Sequence, residues 1–153
     1  MTTPDLQDRL QRALGSAYTL ERELRFPNGI ALSPDERTLY VANSDAERAI
    51  WMASDVAGDG SVANGRVLFD ATPLVREGKK GLPDGLAVDA RGNLFATGPG
   101  GVLVLTPDGR HLGTIGTGTA AANCAFGDDG STLYMTVNRQ LMRVRTLTKG
   151  QGF

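Results

Sequence analysis

No charge of either sign dominates this chain: 16 Lys and Arg stand against 17 Asp and Glu in 153 residues. That balance excludes the basic footprint of a nucleic-acid binder, and the lysine pair Lys79-Lys80 reads as a solvated loop. The single cysteine, Cys124, excludes an internal disulfide and fits a reducing compartment. No apolar run approaches the ~20 residues that span a bilayer. The opening MTTPDLQDRLQRALG is charged and amphipathic and lacks the apolar stretch of a signal peptide. The expectation is a cytoplasmic protein with neither nucleic acid nor membrane as partner. Helical periodicity is scarce as well. It is confined to residues 3–14, where Thr3 suits an N-cap, Pro4 the first turn, and Leu6, Leu10 and Leu14 recur on one face.

What the chain has is turns and short strands. Twenty glycines and seven prolines punctuate β-rich runs. Pro27-Asn28-Gly29-Ile30-Ala31-Leu32 leads through a Pro-Asp turn to Thr38-Leu39-Tyr40-Val41-Ala42, and the pattern recurs. Its second copy runs from Pro83-Asp84-Gly85-Leu86-Ala87-Val88 to Leu94-Phe95-Ala96. A weaker third runs from Ala122-Asn123-Cys124-Ala125-Phe126 to Leu133-Tyr134-Met135. Each copy is a hairpin, so one supersecondary unit is used several times.

Around the hairpins the first unit adds strands at 50–55 and 66–70, with Gly58-Asp59-Gly60 and Asn64-Gly65 as turns. A loop at 71–82 follows. The second unit has strands at 85–89, 93–97, 102–106 and 111–115, and the third has 124–127, 132–137 and 141–146. Residues 18–24 supply one leading strand. Groups of four short strands at a period of roughly 40 to 55 residues are the signature of β-propeller blades. A β-sandwich could use such strands but would not require the inner hairpin to repeat. The predicted fold is all-β, about three blades of an incomplete ring, with a short N-terminal helix. The chain divides into that helix, residues 1–16, and a partial propeller, residues 17–153.

Asn28 and Asp84 occupy the same position of the unit, which is how a repeating fold aims oxygen ligands at one central point. Pro-Asn-Gly and Pro-Asp-Gly are equally ordinary turns entering a strand, and the repeat alone leaves both readings open. Tyr40, Phe95 and Tyr134 recur as blade packing. Cys124 reads as a small buried residue rather than a nucleophile paired with His111. Asp55 to Gly60 departs from a calcium-loop pattern and reads as a hairpin, and Gly98-Pro99-Gly100-Gly101 as a turn rather than a phosphate cradle. Asn123 and Asn138 are candidates for the channel mouth without a catalytic assignment.

The segments PNGIALSPDERTLYVANSD at 27–45, GLPDGLAVDARGNLFATGPGGVLVLTPDG at 81–109 and ANCAFGDDGSTLYMT at 122–136 together resemble the gluconolactonase, senescence-marker and luciferin-regenerating enzyme family. The resemblance covers most of residues 26–153 and corresponds to the C-terminal half of a six-bladed propeller. It implies a divalent-metal-dependent lactone hydrolase opening a sugar lactone to an aldonic acid. By that resemblance Asn28 and Asp84 are metal ligands and Asp84 is also the catalytic base. The implied metal is Ca²⁺, with Zn²⁺, Mg²⁺ or Mn²⁺ as alternatives, and the implied partner is a small-molecule lactone. The family's glutamate ligand and substrate-contacting arginine and asparagine belong to the N-terminal blades, and no glutamate here matches that position. The rival reading is a non-catalytic half-propeller, either a truncated product or one that closes a ring as a homodimer.

Overall fold

A computed structural model describes residues 24–153; the predicted 3–14 helix and nearly all of the leading strand at 18–24 lie outside them. The described residues form eleven strands and one short helix. Strands β1 (Pro27–Leu32), β2 (Thr38–Ser44), β3 (Ala49–Val56) and β4 (Val62–Asp70) make one antiparallel sheet in that order. Helix α1 (Thr72–Arg76) leads to a second sheet of β5 (Leu86–Val88), β6 (Leu94–Gly98), β7 (Gly101–Leu105) and β8 (His111–Gly116). Strands β9 (Ala121–Gly127), β10 (Thr132–Val137) and β11 (Gln140–Arg145) make the third. Among the described residues two sheets are complete four-strand units and the third lacks an outer strand, as the repeat predicts.

The inner hairpins turn by a shared device. A short polar side chain at the end of the first strand captures the backbone of the turn. Ser33 Oγ accepts the Thr38 N–H, and the Asp89 carboxylate accepts the N–H groups of Arg91 and Asn93. Residues with φ near 60° or above, Glu36, Gly92 and Gly130, complete the reversals.

Stacking follows from strand alternation, because successive side chains point to opposite faces. Tyr40 and Trp51 of the first sheet meet Leu94, Leu103 and Leu105 of the second. Phe95 and Val102, on the opposite face of that second sheet, meet Cys124, Leu133 and Met135 of the third. All five residues of β6 are buried, the pattern of a sheet covered on both faces. The repeated aromatic packs each unit onto the next: Tyr40 is buried by the second sheet and Phe95 by the third. Tyr134 belongs to the last unit, is only half-buried, and turns its hydroxyl to the Asp128 carboxylate.

Three readings of the sequence need correction. Asn64-Gly65 is not a turn. Asn64, at φ 53°, sits in a β-bulge inside a longer β4, and the reversal is made at residues 57–61 instead. The 71–82 loop contains α1, a five-residue helix with Pro73 in its first turn, too short to show a period. The third copy also begins one residue earlier than read, with Ala121 where the other two have Pro27 and Pro83. Pairing sets Ala31 opposite Tyr40, Ala87 opposite Phe95 and Ala125 opposite Tyr134. Counting back from these alanines, the position held by Asn28 and Asp84 falls on Ala122, and Asn123 aligns with Gly29 and Gly85.

Candidate metal and hydrolase site

The inner strands β1, β5 and β9 lie side by side, and their N-terminal ends converge. A Cβ built on Gly29 would stand 2.0 Å from the Asp84 carbonyl oxygen, and one on Gly85 would stand 2.0 Å from Asn123 Oδ1. Glycine at these two positions therefore lets neighbouring units approach at backbone contact. Asn28 and Asp84 occupy the same position at this mouth, where Ala122 contributes only its backbone; Asn123 instead sets its Oδ1 against Gly85 and accepts the Cys124 N–H at 2.9 Å.

The Pro83-Asp84-Gly85 segment is held from both sides. The Asp84 N–H donates to the Thr97 carbonyl at 3.0 Å, and the Gly85 N–H to the Ala122 carbonyl at 2.9 Å. The wholly buried Thr97 hydroxyl is shared between the Gly85 carbonyl at 2.8 Å and the Ala122 carbonyl at 3.1 Å. Toward the first unit, Ser44 Oγ donates to the Pro83 carbonyl and accepts from Asn28 Nδ2 at 3.3 Å. Ser44 thus joins the Asn28 side chain to the Pro83–Asp84 peptide. Ser44 has no counterpart at its position of the unit, whereas Thr97 recurs two residues after Phe95 as Thr136 does after Tyr134, a repeat that went unread in the sequence.

Burial raises the Asp84 carboxyl above its ordinary value, opposed only by the N–H of Gly85. A carboxylate destabilised in this way is a better proton acceptor than a free one, and a cation placed nearby would restore its charge. The donors are an amide oxygen and a carboxylate, the chemistry that hard Ca²⁺, Mg²⁺ or Mn²⁺ prefers. They suit Zn²⁺ less well, since the nitrogen and sulfur ligands it favours lie elsewhere. His111 is on outer strand β8, its ring 5.5 Å from Phe69 and Nε2 3.0 Å from Thr114 Oγ1. Cys124 is buried among apolar neighbours, its thiol pushed up to about 12, with Sγ donating to the Phe95 carbonyl at 3.1 Å. Among the described residues no cluster of three or more His, Cys, Asp or Glu side chains is present. Two protein oxygens also fall short of the six to eight that Ca²⁺ takes, so further donors must complete the shell.

Stacked four-stranded sheets, with inner strands side by side and polar residues gathered at one end of them, define a β-propeller with an axial polar mouth. Within that class the chain belongs to the SMP-30/Gluconolactonase/LRE-like family, whose model matches residues 8–139. The chain is 43% identical to a gluconolactonase of Zymomonas mobilis over 140 residues, covering 89% of this chain and 39% of that protein. It is also similar to the structure of XC5397, a gluconolactonase of Xanthomonas campestris, at 34% identity and a TM-score of 0.70. That likeness covers 81% of this chain and 39% of the other. A third likeness is to the calcium-binding protein regucalcin of Agrobacterium tumefaciens, at 26% identity and a TM-score of 0.69, covering 91% of this chain and 51% of that one. The chain therefore spans about two-fifths to one-half the length of the relatives it matches.

Proposed function

We propose that this chain carries part of the active site of a divalent-metal-dependent lactone hydrolase, with Asn28 and Asp84 as metal ligands and Asp84 as general base. The observation that carries the reading is Asp84 itself. It is a part-buried carboxylate with a raised proton affinity, at the end of the inner strands it shares with Asn28, in a family whose named relatives include gluconolactonases.

Asp84 takes a proton from the water that attacks the lactone carbonyl carbon. The ring acyl–oxygen bond then breaks, the ring oxygen leaves as a hydroxyl carrying that proton, and a hydroxy acid results. A divalent cation, when bound, would supply polarisation of the carbonyl. Asn28 contributes an uncharged oxygen, leaving the net charge of the site to Asp84. Ca²⁺ is the ion the donors suit best, and a sugar lactone is the substrate class named for relatives. A pH-stat assay of gluconolactone opening by the full chain, with and without Ca²⁺, tests this. Metal-stimulated turnover that Asp84→Asn removes supports the proposal, and equal rates in the two proteins sink it.

The rival half-propeller reading draws on one feature. The face of the first sheet turned away from the second carries Ile30, Leu39, Val41 and Met52, with Ile30 65% exposed. A second copy meeting that face would close a ring and bring two sets of Asn28 and Asp84 to the mouth. Light scattering decides between a monomer and this dimer. The cytoplasmic location proposed for the chain is open to test by cell fractionation.

A further inference from the structure

We infer that Ser44 is a positioning residue that fixes which end of the Asn28 amide faces the mouth and holds the Pro83–Asp84 peptide in register with it. The inference deepens the proposed metal site and depends on it for its functional consequence.

A serine hydroxyl has one proton to give and two lone pairs. A carbonyl can only accept, and the buried Pro83 carbonyl takes the Ser44 proton. Only lone pairs of Ser44 remain for Asn28. Asn28 must therefore present its NH₂ group to Ser44, as it does at 3.3 Å, and its Oδ1 is turned the other way. A cation needs that oxygen and is repelled by the NH₂ end, so the polarity of one hydroxyl decides whether Asn28 can serve as a ligand. The backbone of Ser44 is anchored too: its N–H donates to the Phe26 carbonyl at 2.8 Å, two residues before Asn28. On the Asp84 side, Ser44 holds the carbonyl of the Pro83–Asp84 peptide while the Thr97 carbonyl accepts its N–H at 3.0 Å. Asn28 thus takes its orientation from strand β2, the Asp84 backbone is held from β2 and β6 together, and removing such an orienting partner typically costs about 10- to 100-fold in metal affinity.

The experiment uses the full chain, labelled with ¹⁵N and free of metal, and then titrated with Ca²⁺ by calorimetry. In the metal-free protein the Asn28 side-chain amide proton bonded to Ser44 should stand apart in chemical shift from its solvent-facing partner, move towards the free-amide position in Ser44→Ala, and stay in place in Ser44→Thr. The Ca²⁺ dissociation constant should rise about 10- to 100-fold in Ser44→Ala and return towards the original in Ser44→Thr. An aspartate at position 28 has no wrong end, so in an Asn28→Asp background Ser44→Ala should cost less than about a third as much. Ser44→Cys, close in size and a poor donor, gives the same comparison should Ser44→Ala fail to fold. An unchanged Asn28 amide shift or unchanged Ca²⁺ affinity in Ser44→Ala overturns the inference. Failure of the unaltered chain to bind Ca²⁺ overturns the metal reading instead, while the metal-free amide measurement still decides the role of Ser44.

Discussion

Gly29 and Asp84 are neighbours through backbone alone: a methyl group on Gly29 would stand 2.0 Å from the Asp84 carbonyl oxygen, closer than any contact allows. The Gly29→Ala protein must therefore push the two inner strands apart. The expected loss is about 1–3 kcal/mol of stability, read by urea unfolding, together with loss of whatever metal affinity the mouth has. Gly113, with nothing within 4 Å of its Cβ position, is the control, and Gly113→Ala should be neutral or stabilising by under ~1 kcal/mol. A Gly29→Ala protein as stable as that control would show that the close approach is not needed.

Asp84→Asn should separate function from stability. The substitution removes the proposed base and a charged oxygen donor, so lactone opening should fall to the uncatalysed rate. The metal-free fold, however, no longer has to bury part of a charge. Its stability should rise, by under ~1 kcal/mol because water screens a partly exposed group. Thermal unfolding and a pH-stat assay on one preparation check both. A marked loss of stability would mean that Asp84 is a structural residue.

Asp84 also sets opposite pH dependences for folding and for catalysis. Its raised value means that, between the ordinary carboxylate range and the raised one, the folded chain holds a proton that the unfolded chain has released. The Asp84 contribution to stability is therefore lost as pH rises through that window. Activity needs the ionised form, and a bound cation favours that form, so with metal kcat/KM should rise at lower pH than the metal-free stability window. Carboxylates such as Asp70, lowered by hydrogen bonding to Thr72, act in the reverse sense and lose their contribution as pH falls. The difference in unfolding free energy between the unaltered chain and Asp84→Asn, followed across mildly acid pH, isolates the Asp84 part. A flat difference would contradict the assignment.

Cys124 should be inert. Burial keeps its thiol protonated, and its Sγ donates to the Phe95 carbonyl. A thiol reagent at neutral pH should label the native chain only as fast as the chain opens, and the urea-unfolded chain at once. Cys124→Ala should leave lactone opening unchanged while costing about 1 kcal/mol or more of stability. Prompt labelling of the native protein, or loss of activity without loss of fold, would contradict this.

The strands were legible because their burial is one-sided or two-sided in a way that alternation records, and Asp, Pro and Gly mark the reversals between them. The repeated hairpin then carried the stacking of sheets, which no single strand announces. Asn64-Gly65 misled for a physical reason. Asparagine before glycine favours positive φ, and both a hairpin turn and a β-bulge ask for that. The phase of the third unit was hidden because the β5–β6 hairpin is one residue shorter than the other two, so a gap-free match of the third copy to the second sets Asn123 where Ala122 stands. Asn28 and Asp84 could be picked out because they repeat. Ser44 could not, because it matters through a polarity of hydrogen bonding that only the fold assembles.

The tryptophan of the first sheet has a practical consequence. Trp51 is wholly buried where the first two sheets meet, with Phe69 at a ring-centroid distance of 6.2 Å and Gly98 so close that a Cβ there would lie 2.7 Å from the indole. Among the described residues its indole N–H finds no acceptor. It is also the one tryptophan of the chain. The molecule therefore carries its own optical gauge: a blue-shifted emission that moves to the red when, and only when, the first sheet parts from the second.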